Sequence, residues 1–131
     1  MKSAGTPTTE FTLRDDGIVL GVGVNPEIPR TAESVSAAFD MLYQLVGGKP
    51  RPGLWDPRPA HAFPPEAWRT LISRLPESIS AFGIVADERV RQGVGAFPDA
   101  MNALLIPVRV FDNETDATEW LVQFVEPEVG N

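Results

Sequence analysis

The sequence predicts an α/β fold: a mixed five-stranded sheet flanked by four helices and opened by an N-terminal β-hairpin. Three observations lead there. Apolar and polar residues alternate on both sides of the pair Asp16-Gly17, later segments change to helical spacing, and strand-like and helix-like segments then follow one another in turn. A chain of 131 residues can bury an adequate core as one domain without disulfides or metals.

Residues 1–9 are small and polar with Pro7 among them, so they are expected to form a flexible tail ahead of a domain spanning 10–126. "EFTLRDDGIVLGVGV" supplies the hairpin, because Asp-Gly suits the positive φ angles of a tight turn. In its second strand Ile18, Leu20, Val22 and Val24 share one face. Gly21 and Gly23 leave the other face nearly bare, where a helix can approach closely. In "NPEIPRTAESVSAAFDMLYQLVGG" the residues Val35, Ala38, Phe39, Leu42 and Val46 follow helical spacing, with Thr31 as N-cap and Gly47-Gly48 as stop. "RPGLWDPR" is a short strand bounded by prolines. A second helix starts at Pro65, carries Ala67, Trp68, Leu71, Ile72 and Leu75 inward, and ends at Pro76.

"SISAFGIVAD" is apolar enough for a central strand covered on both faces. Val90, Val94, Phe97, Met101 and Leu104 continue at helical spacing, but Gly93, Gly95 and Pro98 predict a kinked or broken third helix. "IPVRVFD" is the last strand. "NETDATEWLVQFV" is the last helix, capped by Asn113, with Ala117, Trp120, Leu121 and Phe124 inward; residues 127–131 form a C-terminal tail. Trp68 and Trp120 fall on the apolar stripes of their helices and read as core or edge anchors, while Trp55 alternates with Leu54 and Asp56 toward the opposite face of its strand.

The formal net charge of −7, with eleven Lys and Arg scattered singly, lacks the footprint that nucleic acid or an anionic membrane requires. No apolar stretch has the length of a secretory leader or a membrane span, so a soluble, cytoplasmic protein is expected. Absence of cysteine excludes disulfides, zinc–thiolate sites and thiol nucleophiles. With His61 as the one histidine, no metal and no cofactor are expected.

The element order, together with "PGLWDPR" ahead of "PPEAWRTLI", "ISAFGIVAD" and the closing "IPVRVFDNETDATEWL", resembles the STAS fold of anti-sigma-factor antagonists over residues 10–125, and within it a divergent, poorly characterised bacterial branch. The resemblance implies a regulatory domain that docks on other proteins. In the switch proteins of that family, a serine near the start of the helix after the central strand is phosphorylated. Here the corresponding loop, Pro57 to Arg69, contains no serine, threonine or tyrosine; Thr70 and Ser73 are the nearest hydroxyls and lie inside the predicted helix.

Candidate residues for a ligand or an interaction are Asp56, Arg58, His61, Glu66 and Arg69. Asp56 stands where a strand ends, the place where open α/β sheets bind ligands, and Arg58 is close by; its structural reading is an acceptor of backbone N–H groups in the proline-rich turn. His61 with Asp56 suggests a base and its orienting carboxylate, but no activated nucleophile or G-x-S-x-G elbow accompanies them, and a solvent-exposed loop histidine is the simpler reading. Glu66 and Arg69, three apart, suit a solvated helix-surface pair. "GVGVNP" and "QGVGAF" lack the spacing of phosphate loops.

No catalytic residue is assigned. The leading expectation is a non-catalytic protein-interaction module, docking on a partner or on itself as a homodimer around the second and third helices. The alternative is a small-molecule-binding regulatory domain with its pocket between the third helix and the Asp56–His61 loop. A small hydrolase using His61 comes third.

Overall fold

The computed structural model describes residues 2–58, 64–94 and 106–126. In chain order the elements are β1 (Lys2–Gly5), β2 (Thr9–Leu13), β3 (Val19–Gly23), α1 (Ala32–Leu45), β4 (Arg51–Asp56), α2 (Pro65–Arg74), β5 (Ile79–Val85), α3 (Glu88–Val94), β6 (Val108–Phe111) and α4 (Glu114–Leu121). The strands form one sheet in the order β1-β2-β3-β4-β5-β6, antiparallel through β3 and parallel from β3 to β6.

The sheet therefore has six strands rather than the five expected. The extra strand, β1, comes from residues expected to be a flexible tail. It pairs with β2 from Lys2 opposite Leu13 to Gly5 opposite Glu10. A tight turn holds it there: the Thr6 N–H donates to the Thr9 carbonyl at 2.9 Å, and the Thr6 hydroxyl accepts from the N–H groups of Thr8 and Thr9, both at 3.3 Å. Backbone pairing and a hydroxyl-bonded turn need no apolar pattern, so a mostly exposed edge strand of small polar residues gives little sequence signal.

The β2–β3 hairpin turns where Asp-Gly stands. Gly17 has φ +86°, the Arg14 N–H donates to the Ile18 carbonyl at 2.9 Å, and Asp16 Oδ1 accepts from the Ile18 N–H. Helix α1 starts in a reciprocal cap: the Thr31 hydroxyl accepts from the Ser34 N–H at 3.1 Å, and the Ser34 hydroxyl accepts from the Thr31 N–H at 2.8 Å. It ends at Gly47 and Gly48, with φ of +66° and +73°. Helix α4 starts at Asn113, whose side-chain oxygen accepts from the Asp116 N–H at 2.8 Å. Helix α3 reaches Val94; the expected inward residues Phe97, Met101 and Leu104, the kink, and the tail 127–131 lie outside the described residues.

The core has two halves, one on each face of the sheet. Phe39 and Leu42 of α1, Leu71 of α2 and Val90 of α3 share one face with Val19 and Phe82. On the other, Ala117 and Leu121 of α4 pack on Ile18, Leu54, Ala81 and Val85. Strand β5 is thus covered on both faces along almost its whole length. The bare floor at Gly21 is not filled by a helix backbone. The ring of Phe11 lies over it, so close that a Cβ at position 21 would come within 3.2 Å of the ring.

Trp55 joins the α1/α2 face, stacked on Phe82 at 5.8 Å between centroids and edge-on to Trp68 at 6.1 Å. Trp68 and Trp120 are half-buried at the margins of the two halves. Among the described residues no helix is long and apolar enough to cross a membrane.

Candidate functional site

The parallel strands β4, β5 and β6 all end at one edge, and arginines fasten that edge together. Asp56, the last residue of β4, is buried at 8% exposure. Its Oδ1 accepts from the Arg58 backbone N–H at 3.1 Å and from Arg58 Nε at 2.9 Å, and its Oδ2 accepts from Arg58 Nη2 at 2.9 Å. Two parallel N–H···O bonds between a guanidinium and a carboxylate are among the stronger polar contacts a protein makes. The hydrogen bonds and charge of Asp56 hold the Arg58 guanidinium above its ordinary value. Pro57 stands between the two with a restricted φ, which favours the tight return.

Helix α3 is tied to the same edge. Arg89 Nη2 donates to the Arg58 carbonyl at 2.7 Å, and Arg91 Nη2 donates to Asp112 Oδ1, just past β6, at 2.6 Å. The start of α3 is capped by Asp87, whose Oδ1 accepts from the Val90 N–H at 2.8 Å.

Of the residues proposed from sequence, Asp56 and Arg58 are brought together; His61 lies outside the described residues. Glu66 and Arg69 are exposed on α2 and form no ion pair with each other. Thr70 donates its hydroxyl to the Glu66 carbonyl one turn earlier, at 3.0 Å, and Ser73 is exposed. Among the described residues no group of three or more His, Cys, Asp or Glu could hold a metal ion.

Two further arginines escaped the sequence reading. Arg30, 5% exposed, sits just before the α1 cap and donates to the carbonyls of Thr8 at 2.7 Å, Ile28 at 2.8 Å, Asn25 at 3.0 Å and Val24. Burial lowers its pKa from the ordinary value. Arg74 at the end of α2 reaches Asp40 Oδ1 and the Ser36 carbonyl of α1, each at 2.7 Å, and Glu77 at 2.9 Å. The signal for both was a lone cation beside a helix boundary, which sequence alone cannot distinguish from a solvated one.

A cavity of about 60 Å³ also lies between the α1/α2 pair and the sheet, with Phe11, Phe39, Trp55, Leu71 and Phe82 among its walls. It is not where a pocket was expected, at the third helix and the Asp56–His61 loop.

Comparison with known proteins reports on fold. The profile of a domain of unknown function, DUF7793, matches residues 11–125. No curated protein matches the chain. Among solved structures, an uncharacterised protein of the DUF3478 family from Shewanella loihica PV-4, described as having a SpoIIAA-like fold, superposes with a TM-score of 0.62 at 17% identity, over 92% of this chain and 99% of that one. The fold is therefore SpoIIAA-like, that is, STAS-like, with the N-terminal strand as part of the sheet.

Proposed function

We propose that this chain, which belongs to the DUF7793 family, is a non-catalytic regulatory domain that docks on a protein partner, or on a second copy of itself, through the surface around α2 and α3. The observation that carries the reading is the fate of Asp56. The turn that leads from β4 toward the helix start where relatives of this fold carry switch chemistry opens with a carboxylate that gives both oxygens to Arg58, and Arg89 holds this turn from α3. Such an arrangement stiffens an edge. The stretch from Pro57 to Arg69 offers no hydroxyl for a phosphoryl group. Partner choice is then constitutive or set by a ligand, not by phosphorylation of that loop. Exposed Glu66 and Arg69, unpaired with each other, are contact residues on the docking side.

The test combines capture and modification. The native protein, incubated with ATP and lysate kinases, is expected to remain unmodified over 57–69 and to keep its partner or its self-association; Arg69→Glu is expected to weaken that association. Association that depends on phosphate at Thr70 or Ser73 would contradict the proposal. So would an esterase, phosphatase or nuclease turnover abolished by His61→Ala.

A further inference from the structure

A sheet edge exposes main-chain donors and acceptors, and proteins usually shield it with charged side chains, proline, a bulge or a covering element. Strand β1 is such an edge, at the opposite end of the sheet from β6. Which of its groups face outward follows from the neighbouring strands. The Val24 N–H donates to the Thr8 carbonyl and the Arg14 N–H to the Ile18 carbonyl, so even-numbered positions along β2 bond to β3. Odd-numbered positions turn to β1, as the Thr6 N–H on the Thr9 carbonyl shows. In an antiparallel pair only alternate residues exchange bonds. Lys2 and Ala4, opposite Leu13 and Phe11, therefore bond inward to β2, while Ser3 and Gly5 present N–H and carbonyl groups to the open edge.

The usual shields are missing from those positions. β1 and β2 pair in unbroken register, Pro7 lies beyond the strand, and the outward residues Ser3 and Gly5 are small and exposed. The outward pattern is also symmetric about Ala4. A second β1 laid antiparallel with Ala4 opposite Ala4 puts Ser3 of each copy opposite Gly5 of the other. Four N–H···O bonds then use every outward group of both strands. Side chains agree with that register. Ser3 of the second copy, Gly5 and Glu10 fall in line on one face of the sheet. Glu10 leans over the bare glycine, its Cγ 3.5 Å from where a Cβ at position 5 would stand, and so carries its carboxylate toward the incoming Ser3 hydroxyl. On the other face Ala4 shares a shallow surface with Met41 and Leu45 of α1, all three half-exposed. A two-fold axis at Ala4 brings these apolar groups of the two copies toward one another.

We propose that two copies of this chain pair through antiparallel β1 strands about a two-fold axis at Ala4, joining their sheets into one. A two-fold interface is made of one patch complementary to itself, and this edge has that property. An unrelated extended peptide would meet the same backbone groups but not the reciprocal contacts of Ser3 with Glu10 and of the Ala4–Met41–Leu45 surface with its copy. A contact of this size belongs with weak, reversible interfaces. It is separate from the α2/α3 surface proposed above, and either can fail alone.

Sedimentation velocity of the whole protein from about 10 μM to about 1 mM, the range of weak contacts, is expected to show a monomer–dimer equilibrium. Ser3→Pro removes an outward N–H that makes no bond to β2, so the fold is expected to survive and dimerisation to weaken about tenfold or more. Because the chain has no cysteine, single cysteines report the register. Across the axis the two Ala4 Cα atoms would stand about 4.5 Å apart, within disulfide reach, and the two Ser3 Cα atoms roughly 9 Å apart, beyond it. Under mild oxidation Ala4→Cys is therefore expected to form covalent dimer about tenfold faster than Ser3→Cys. A monomer throughout the range, its edge left to some other extended segment, would overturn the proposal. So would native-strength dimerisation of a folded Ser3→Pro chain, or equal cross-linking of the two cysteine variants. Dimerisation abolished by Arg69→Glu but untouched by Ser3→Pro would overturn it in favour of the α2/α3 surface.

Discussion

The two faces of the sheet are held in different ways. Under α4 the six core residues Ile18, Leu54, Ala81, Val85, Ala117 and Leu121 are exposed by 1% or less, and small residues on sheet and helix let the two meet closely. Gly83 shows how closely: a Cβ there would lie 3.2 Å from Leu121 Cδ1. Under α1 and α2 the core is larger and more aromatic, yet it leaves a cavity, and guanidinium groups hold its ends, Arg30 at the start of α1 and Arg74 between α2 and α1. Close packing makes the first face a source of stability. Polar clamps hold the second face around an incompletely filled interior.

The same substitution on both faces probes this difference. Leu121→Ala is expected to cost about 4 kcal/mol, because tightly surrounding groups cannot collapse into the hole. Leu71→Ala, beside space that already exists, loses fewer contacts and is expected to cost about 2.5 kcal/mol. Urea midpoints at constant slope measure both; a larger loss for Leu71 would break the comparison.

Next in size comes the clamp. Arg30→Met keeps much of the side-chain length but takes a donor from four carbonyls, of which those of Thr8 and Asn25 keep a backbone N–H, with an expected loss of about 3 kcal/mol. Arg30→Lys is expected to recover less than half of it, since an ammonium cannot reproduce the planar fork. If Met were neutral in thermal and urea unfolding, the α1 end would not depend on its polar contacts.

A smaller effect separates two glycines. Gly83→Ala pushes on Leu121 and Phe111 in the filled half and is expected to cost about 1–2 kcal/mol. Gly53→Ala brings its Cβ within 2.6 Å of Ile79 Cδ1, nominally the worse clash, but Ile79 borders the cavity and its tip can turn into it. A loss under about 1 kcal/mol is therefore expected for Gly53→Ala, and a larger loss than for Gly83→Ala would show that the space beside Ile79 cannot accept a methyl group.

Local chemistry made much of the fold legible in the sequence. Thr31 with Ser34, Gly47-Gly48, Asp16-Gly17 and Asn113 each act through groups within a few residues, and the inward stripes of α1 and α4 follow from helical spacing. Strand β1 was missed because Lys2–Gly5 carries no apolar alternation and owes its place to the backbone of β2. At the candidate site, Asp56 could be read as an acceptor in a turn, and Arg58 as near it, because they are two residues apart. The contact from Arg89 spans 31 residues and the cavity needs four strands and two helices to meet, so neither leaves a local pattern. Glu66 and Arg69 illustrate the converse: correct helical spacing permits a pair but supplies too little energy to enforce it.

The contrast between the faces is tested most directly by adding the same two methyl groups to each. Ala117 on α4 is 0% exposed and Ala38 on α1 is 6% exposed and borders the cavity. In Ala117→Val and Ala38→Val the small loss of helix propensity is common to both and drops out of the difference. Unfolding midpoints are expected to fall for Ala117→Val by the equivalent of about 2 kcal/mol, as overpacking does in a filled core, and to stay level or rise for Ala38→Val. Equal losses in the two variants would contradict the distinction between a filled face and one with room to spare.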